Sequence, residues 1–284
     1  MSTTATPSAP PVRTILHPTD FSADSEDAFA HALAICLFVR GELTLLHAGD
    51  QYLEGDDWQK FPHVRETLVR WKLLPPGSGR AAVFRDLGIR INKVSAKGDP
   101  LTATMEYLAD NPTDLMVLAT EGREGLPRFL RRSTAERLAR HGGIKTLFVP
   151  HAERGFANTG GELTLRRILV PVAAEPDPRP ALVYAARATR LAGGEPVELV
   201  ALHVGDEPPE LSFPEPAGPG CRWRSARAEG DPEDEIVRFA KAEEMDLVVM
   251  ATHGPDTLRD ALAGSTTERV LRRAPCPVLA VPAE

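Results

Sequence analysis

Several things are scarce or missing in this chain of 284 residues, and each absence removes a class of function. There are only three cysteines, Cys36, Cys221 and Cys276, far apart and with no CxxC pair. That argues against a disulfide framework and against a zinc site, and it fits a reducing cytoplasm. No apolar run approaches the roughly 20 residues needed to span a bilayer. Positive charge is not in excess: the formal net charge is −7, which argues against bulk binding of nucleic acid or anionic membrane. Met1 to Pro11 lacks the basic and apolar regions of a signal peptide and reads as a loose tail. There is no G-x-x-x-x-G-K-[ST], so the chain is not a P-loop NTPase, and no G-x-G-x-x-G follows a strand. No Ser-His-Asp or Cys-His order emerges, and no histidine has a second metal ligand at suitable spacing.

What the chain does have is an internal repeat. Displacing it by 132 residues lays Gly98-Asp99-Pro100 on Gly230-Asp231-Pro232 and Asp114-Leu115 on Asp246-Leu247. The same shift lays Ala119-Thr120-Glu121-Gly122 on Ala251-Thr252-His253-Gly254, and Ser133 to Arg137 on Ser265 to Arg269. Roughly a third of the positions from Gly98 to Pro150 are identical, several times what ordinary residue frequencies give by chance. Ile15-Leu16-His17-Pro18 matches Ile168-Leu169-Val170-Pro171 at an offset of 153, so the second copy is 21 residues shorter in its middle. The reading is a tail at 1–11, one domain at 12–150, a linker at 151–164 and a second copy at 165–284. The linker is rich in glycine and reads as an exposed connection.

Within copy one, apolar runs predict strands at Thr14–His17, Leu43–Ala48, Ile89–Val94, Leu115–Ala119 and Thr146–Val149. Between them a helix runs from a cap at Asp20 or Ser22 to Val39, with Gly41 stopping it. A second covers Trp58–Leu74, a third starts at Pro100 and runs to about Asp110, and a fourth covers Ser133–His141. Asp99 and Asp231, each before a proline, read as turn or cap residues. Copy two repeats the pattern, except that the Pro-rich stretch 205–220 takes the place of the second helix. Such alternation implies an α/β fold with mostly parallel sheets. Ligands of these folds bind beyond the carboxyl ends of the strands, where strand order switches. That singles out Thr19, Asp20, Ala48 and the loop from Ala119 to Ser133 in copy one. The counterparts in copy two are Val172, Val204 and the loop from Ala251 to Thr266.

That loop in copy two, Ala251-Thr-His-Gly254 with Gly264-Ser265-Thr266 nine residues on, fits a phosphate cradle. Glycines let a ligand approach the backbone, and the helix start and hydroxyls donate to an anion. The rival reading is a strand–loop–helix connection whose Gly264 only permits tight packing. His253 either donates to a phosphate oxygen or is an ordinary surface residue. Six arginines against three glutamates between Glu121 and Arg140 form either an anion-attracting patch or a solvated helix face. His17 and His47 read as core or edge residues, and Trp58 and Trp71 as packing residues of the extra helix.

The sequence resembles the universal stress protein family in its tandem two-domain form. The resemblance is carried by Ile15 to Ser22, by Leu46-His47-Ala48 and Leu202-His203-Val204, by the Gly-Asp-Pro turns, by the Asp-Leu strand starts and by Ala274-Pro275-Cys276-Pro277-Val278. It implies two Rossmann-like domains, each with a five-stranded parallel sheet of order 3-2-1-4-5, and a homodimer paired through the last strands. It also implies ATP or another adenine nucleotide as ligand, with Mg²⁺, held by a G-x2-G-x9-G-[S/T] motif and an aspartate after the first strand. Copy one keeps Asp20, Gly122, Ser133 and Thr134 but has Ala119 and Arg132 where the motif has glycines. Copy two keeps Gly254, Gly264, Ser265 and Thr266 but has Ala251 for the first glycine and Ala173 for the aspartate. Each copy thus holds part of a site. The functions in contention are a non-enzymatic nucleotide-binding stress-response module, an interaction scaffold with degenerate pockets, and a slow ATPase.

Overall fold

A computed structural model describes residues 11–49, 63–120, 144–150, 154–252 and 266–283. The strands are β1 (Thr14–Pro18), β2 (Glu42–Gly49), β3 (Arg90–Lys97), β4 (Leu115–Thr120), β5 (Lys145–Pro150), β6 (Arg167–Pro171), β7 (Glu198–Val204), β8 (Arg222–Ala228), β9 (Leu247–Thr252) and β10 (Val278–Pro282). The α-helices are α1 (Ala23–Val39), α2 (Val64–Arg70), α3 (Arg80–Leu87), α4 (Pro100–Asp110), α5 (Arg179–Ala188), α6 (Pro232–Ala242) and α7 (Thr266–Arg273).

All ten strands form one sheet, in the order β3-β2-β1-β4-β5-β10-β9-β6-β7-β8. Each half has the expected 3-2-1-4-5 order and is parallel throughout. β4 and β9 are continuous apolar runs because helices cover both of their faces, and Met116, Val117, Val248 and Val249 are almost fully buried.

The halves meet where β5 and β10 pair antiparallel, Phe148 with Val278, Leu147 with Leu279 and Thr146 with Ala280. Leu147 and Leu279 are equivalent under the 132-residue shift, so the seam is self-complementary, as a two-fold dimer interface would be. The pairing expected between two chains is therefore made inside one. β5 is held by β4 and β10, and β10 by β9 and β5, which leaves neither strand an edge for a second chain. This corrects the expectation of a homodimer through the last strands.

The helix ends show their local causes. Ser22 caps α1 by accepting from Ser25 N–H. Arg40, not Gly41, ends it in the left-handed conformation at φ 49°. Gly41 serves another need: a Cβ there would lie 2.3 Å from the Arg13 carbonyl oxygen. Asp99 and Asp231 cap α4 and α6, each with proline at the helix start. The expected Trp58–Leu74 helix is α2 alone over its described part, and α3 is an addition. Residues 205–220 contain no helix.

The inter-copy segment also departs from expectation. Phe156 and Ala157 are buried, and Ala157 bridges Leu163 in a small hairpin. Trp71 covers that hairpin and donates from Nε1 to the Thr159 carbonyl at 2.9 Å. A Cβ on Gly161 would lie 2.3 Å from Trp71 Cγ. The connection is thus docked on copy one, and its aromatic contacts outweigh the loop-like composition.

Candidate functional site

The site follows from a break in the sheet. β1 pairs with β2 over five residues but with β4 only at Ile15–Leu115 and Leu16–Met116. Beyond that the ladder stops, and chain connections leave β1 in opposite directions, which is the crevice of doubly wound folds. His17 sits there, fully buried, and its Nδ1–H donates to the Val117 carbonyl at 2.9 Å. Burial lowers its pKa to about 4, against the opposing pull of the Val117 bond and Asp20, so the ring is neutral at physiological pH. The expectation of a core histidine holds.

The turn after β1 is built around Asp20. Thr19 N–H donates to the Leu46 carbonyl at 2.8 Å. The Thr19 carbonyl accepts from His47 Nδ1 at 2.9 Å, and Thr19 Oγ1 accepts from Phe21 N–H at 3.2 Å. Phe21 has φ 64° and stacks on the His47 ring, centroids 4.2 Å apart. A bulky residue at positive φ persists only where its surroundings fix it, and here the stack and the hydrogen bonds do so. Asp20 Oδ1 then accepts from Ser22 N–H at 3.0 Å, Ser22 Oγ at 2.6 Å and Ser25 Oγ at 2.7 Å. Burial works to raise the Asp20 pKa, but these hydrogen bonds outweigh it and hold the carboxyl below its ordinary value. All three bonds go to one oxygen. Oδ2 accepts none among the described residues and remains available to a donor from a ligand.

Copy two repeats the two bonds that anchor the turn, without the acid. Val172 N–H donates to the Leu202 carbonyl at 2.8 Å, and His203 Nδ1 donates to the Val172 carbonyl at 3.0 Å. Ala173 is exposed and offers no acceptor. Of the two acids that follow, Glu175 and Asp177, the second is tied to the Arg179 guanidinium at 2.6 Å.

Of the expected site residues, Thr19, Asp20 and Ala48 therefore gather at the carboxyl ends of β1 and β2, beside the end of β4. Val172, Val204 and Ala251 gather at the matching ends of β6, β7 and β9, and Thr266 opens α7. Gly122, Arg132, Ser133, Thr134, His253, Gly254, Gly264 and Ser265 lie outside the described residues, as do the two loops containing them. Among the described residues no group of three or more His, Cys, Asp or Glu side chains could hold a metal ion, and no helix is long and apolar enough to cross a membrane. Sequence reasoning passed over Phe21, Ser25 and the bracing role of His47 and His203. The paired Leu-His at the end of the second strand in both copies was the available signal.

The geometry defines a class: a doubly wound α/β protein with a polar crevice at a topological switch point, made twice in one chain. The model of the universal stress protein family matches residues 11–150 and 215–282, and the chain belongs to that family. A universal stress protein of Methanocaldococcus jannaschii is 45% identical over 62 residues, covering 22% of this chain and 36% of the relative. One from Methanothermobacter thermautotrophicus is 41% identical over 63 residues, 22% of this chain and 42% of the relative. The chain thus spans well under half the length of these curated relatives in the matched region. Among solved structures, a universal stress protein from Archaeoglobus fulgidus superposes with a TM-score of 0.62 at 19% identity, covering 95% of this chain and 98% of that one. A protein of unknown function from Pseudomonas aeruginosa does so at 0.56 and 15% identity, covering 96% and 93%. At those identities the likeness speaks for the fold.

Proposed function

We propose that this chain is a non-enzymatic stress-response module of the cytoplasm that binds an adenine nucleotide in the copy-one crevice. One observation carries the reading. Asp20 is ionised, fixed by Ser22 and Ser25, and keeps an oxygen open at the switch point, where a nucleoside hydroxyl or amine can donate to it. The residues present fit the nucleoside end of the ligand in copy one. Copy two, with Ala173, lacks that acceptor. The loop that follows β4 would hold the phosphates, with Mg²⁺ brought by the nucleotide.

The test is to denature purified protein, assay the supernatant for released nucleotide, and titrate ATP by calorimetry. Asp20→Asn removes a charged acceptor and is expected to weaken ATP about 10- to 150-fold, from a bond worth about 1.5–3 kcal/mol. No released nucleotide and no heat at millimolar ATP would leave the interaction-scaffold reading in its place. Turnover of labelled ATP with Mg²⁺ would replace the non-enzymatic reading with a slow ATPase.

A further inference from the structure

A groove on copy one lies away from the crevice just described. α2, the turn after it, α3 and the start of β3 enclose a cavity of about 1330 Å³. It is the product of the extra residues in copy one. Among the described residues five cations line it, Arg65, Arg70, Arg80, Arg90 and Lys93, against one carboxylate, Glu66. On a chain of net charge −7 this is a marked local reversal. Arg65 donates to the Ser78 carbonyl, Arg70 to Thr67 Oγ1, and Arg90 lies over the Phe84 ring at 5.3 Å. Among the described residues none of the four arginines forms an ion pair. Lys93 senses the imbalance: burial first, then Arg80 and Arg65, hold its pKa below the ordinary lysine value.

The corresponding edge of copy two shows what a neutralised version looks like. Arg222 and Arg224 on β8 pair with Glu198, Arg224 also with Glu243, and Arg227 with Asp206. Trp223 of that strand stacks on Phe213 and donates to the Pro214 carbonyl, so the Pro-rich segment of copy two packs on that strand. Among the described residues β3 is paired on one side only, by β2, as β8 is by β7, but no such segment packs on it. Beside that open edge are apolar contacts as well: Val69, Val83 and Ile91 in the groove and Phe84, 55% exposed, at its rim.

We propose that this groove is a docking site for an extended acidic segment of a partner protein that carries an apolar anchor. The open β3 edge supplies main-chain hydrogen bonds, the arginines take carboxylates, and Phe84 with Val83 takes the anchor. Charge complementarity selects the acid, and the apolar lining distinguishes a peptide from a bare polyanion. The remaining surface of an acidic chain repels a long nucleic acid. The site is separate from the nucleotide crevice, and its test is independent of whether ATP binds.

The experiment uses the full chain and fluorescence anisotropy. The probe is a labelled heptapeptide alternating glutamate and valine with one central phenylalanine, run beside its lysine counterpart, an oligo-dT strand and phosphatidylserine vesicles. Saturable binding of the acidic peptide is expected, weakening at least about tenfold between roughly 0.05 and 0.5 M salt as screening shortens. Arg65→Glu with Arg80→Glu should cost at least about tenfold more, Phe84→Ser should weaken the peptide as well, and Arg238→Gln on α6 should change nothing. All substituted groove residues are exposed, and the milder Arg65→Gln with Arg80→Gln gives a second reading if the reversal disturbs folding. Absence of saturable binding, equal binding by the groove variants, or tighter binding of the oligo-dT or the vesicles would overturn the proposal.

Discussion

Replacing Phe156 by alanine tests whether the inter-copy segment is a structural part of copy one. The ring is 1% exposed and meets the His31 ring edge-on, centroids 4.5 Å apart and planes at 85°. His31 Nδ1 donates to the Asp27 carbonyl at 2.8 Å, and Nε2 accepts from Ala157 N–H at 3.4 Å, so the neutral ring clips the segment to α1. Emptying a packed phenylalanine site costs about 3–5 kcal/mol, the aromatic pair included. There is also a proton-linked signature. Burial lowers the pKa of His31, and of His17, from 6.5 to about 4, against backbone bonds that act to raise it. The unfolded chain therefore takes up these two protons first. Stability is full above about pH 6.5 and is lost as pH falls through the window down to 4, on the order of 3 kcal/mol for each histidine. In the Phe156→Ala variant water reaches His31, its pKa returns toward 6.5, and roughly half of that pH dependence disappears. The assay is urea unfolding followed by tryptophan fluorescence at about pH 7, 6 and 5. A loss below about 1 kcal/mol at neutral pH, or an unchanged pH slope, would refute the docked segment.

Two further outcomes follow from the same geometry. Asp114 Oδ2 accepts from Arg13 N–H and Thr14 N–H at 2.8 and 2.9 Å, tying the start of β4 to β1. Burial works to raise its pKa, but bonds from Thr14 and Arg13 outweigh it and hold the carboxyl below its ordinary value. Asp114→Asn should therefore cost about 1–2 kcal/mol at neutral pH by urea unfolding, a charged bond reduced for partial exposure, and the gap from the parent should close in acid as the parent's carboxylate protonates. Gly161→Ala meets Trp71 and a φ of 88° at once, and should lower stability by about 1–3 kcal/mol with a change in Trp71 emission. Gly77→Ala, at φ 79° with nothing within 4 Å, is the control for strain alone.

The repeat and the α/β class were legible because they rest on residues whose role is local, whereas the strand order came from the family resemblance. Asp99 and Asp231 cap helices wherever they stand before a proline, and the runs at Leu115 and Leu247 read as strands buried on both faces. The boundaries of α2 and the existence of α3 were not legible. α3 buries only Ala82 and Val83, too little for a helical period to stand out against its charged residues. The segment around Phe156 was misread because Gly155, Gly160 and Gly161 look like loop residues. Two of these glycines are in fact required by the close approach of His31 and Trp71, a long-range contact with no local signature. Asp20 could be found at the site. Its support could not, since it depends on Phe21 taking a positive φ and stacking on His47 from another strand. The basic groove escaped for the same reason: its cations come from three elements separated by turns.

The unequal copies supply the sharpest test of how a site was divided between them, and it rests on the proposed nucleotide reading. The turn after β6 begins as the turn after β1 does, with Val172 bonded to Leu202 and His203 as Thr19 is to Leu46 and His47, but no residue in it takes the positive φ of Phe21. What it lacks is the carboxylate and the hydroxyls that hold it, because the stretch from Ala173 to Pro178 contains no serine or threonine. Ala173→Asp in an Asp20→Asn background should therefore restore ATP binding only in part. The new carboxylate has no Ser22 or Ser25 to fix its rotamer, so part of each bond's free energy goes to ordering the side chain. Recovery of about three- to tenfold in calorimetry, out of the 10- to 150-fold lost, is the expected result. Abolition of that recovery by Gly264→Arg would place the phosphates on the copy-two loop. No recovery at all would mean that the Gly254–Thr266 loop of copy two is a packing turn, and that the nucleotide reading stands on copy one alone.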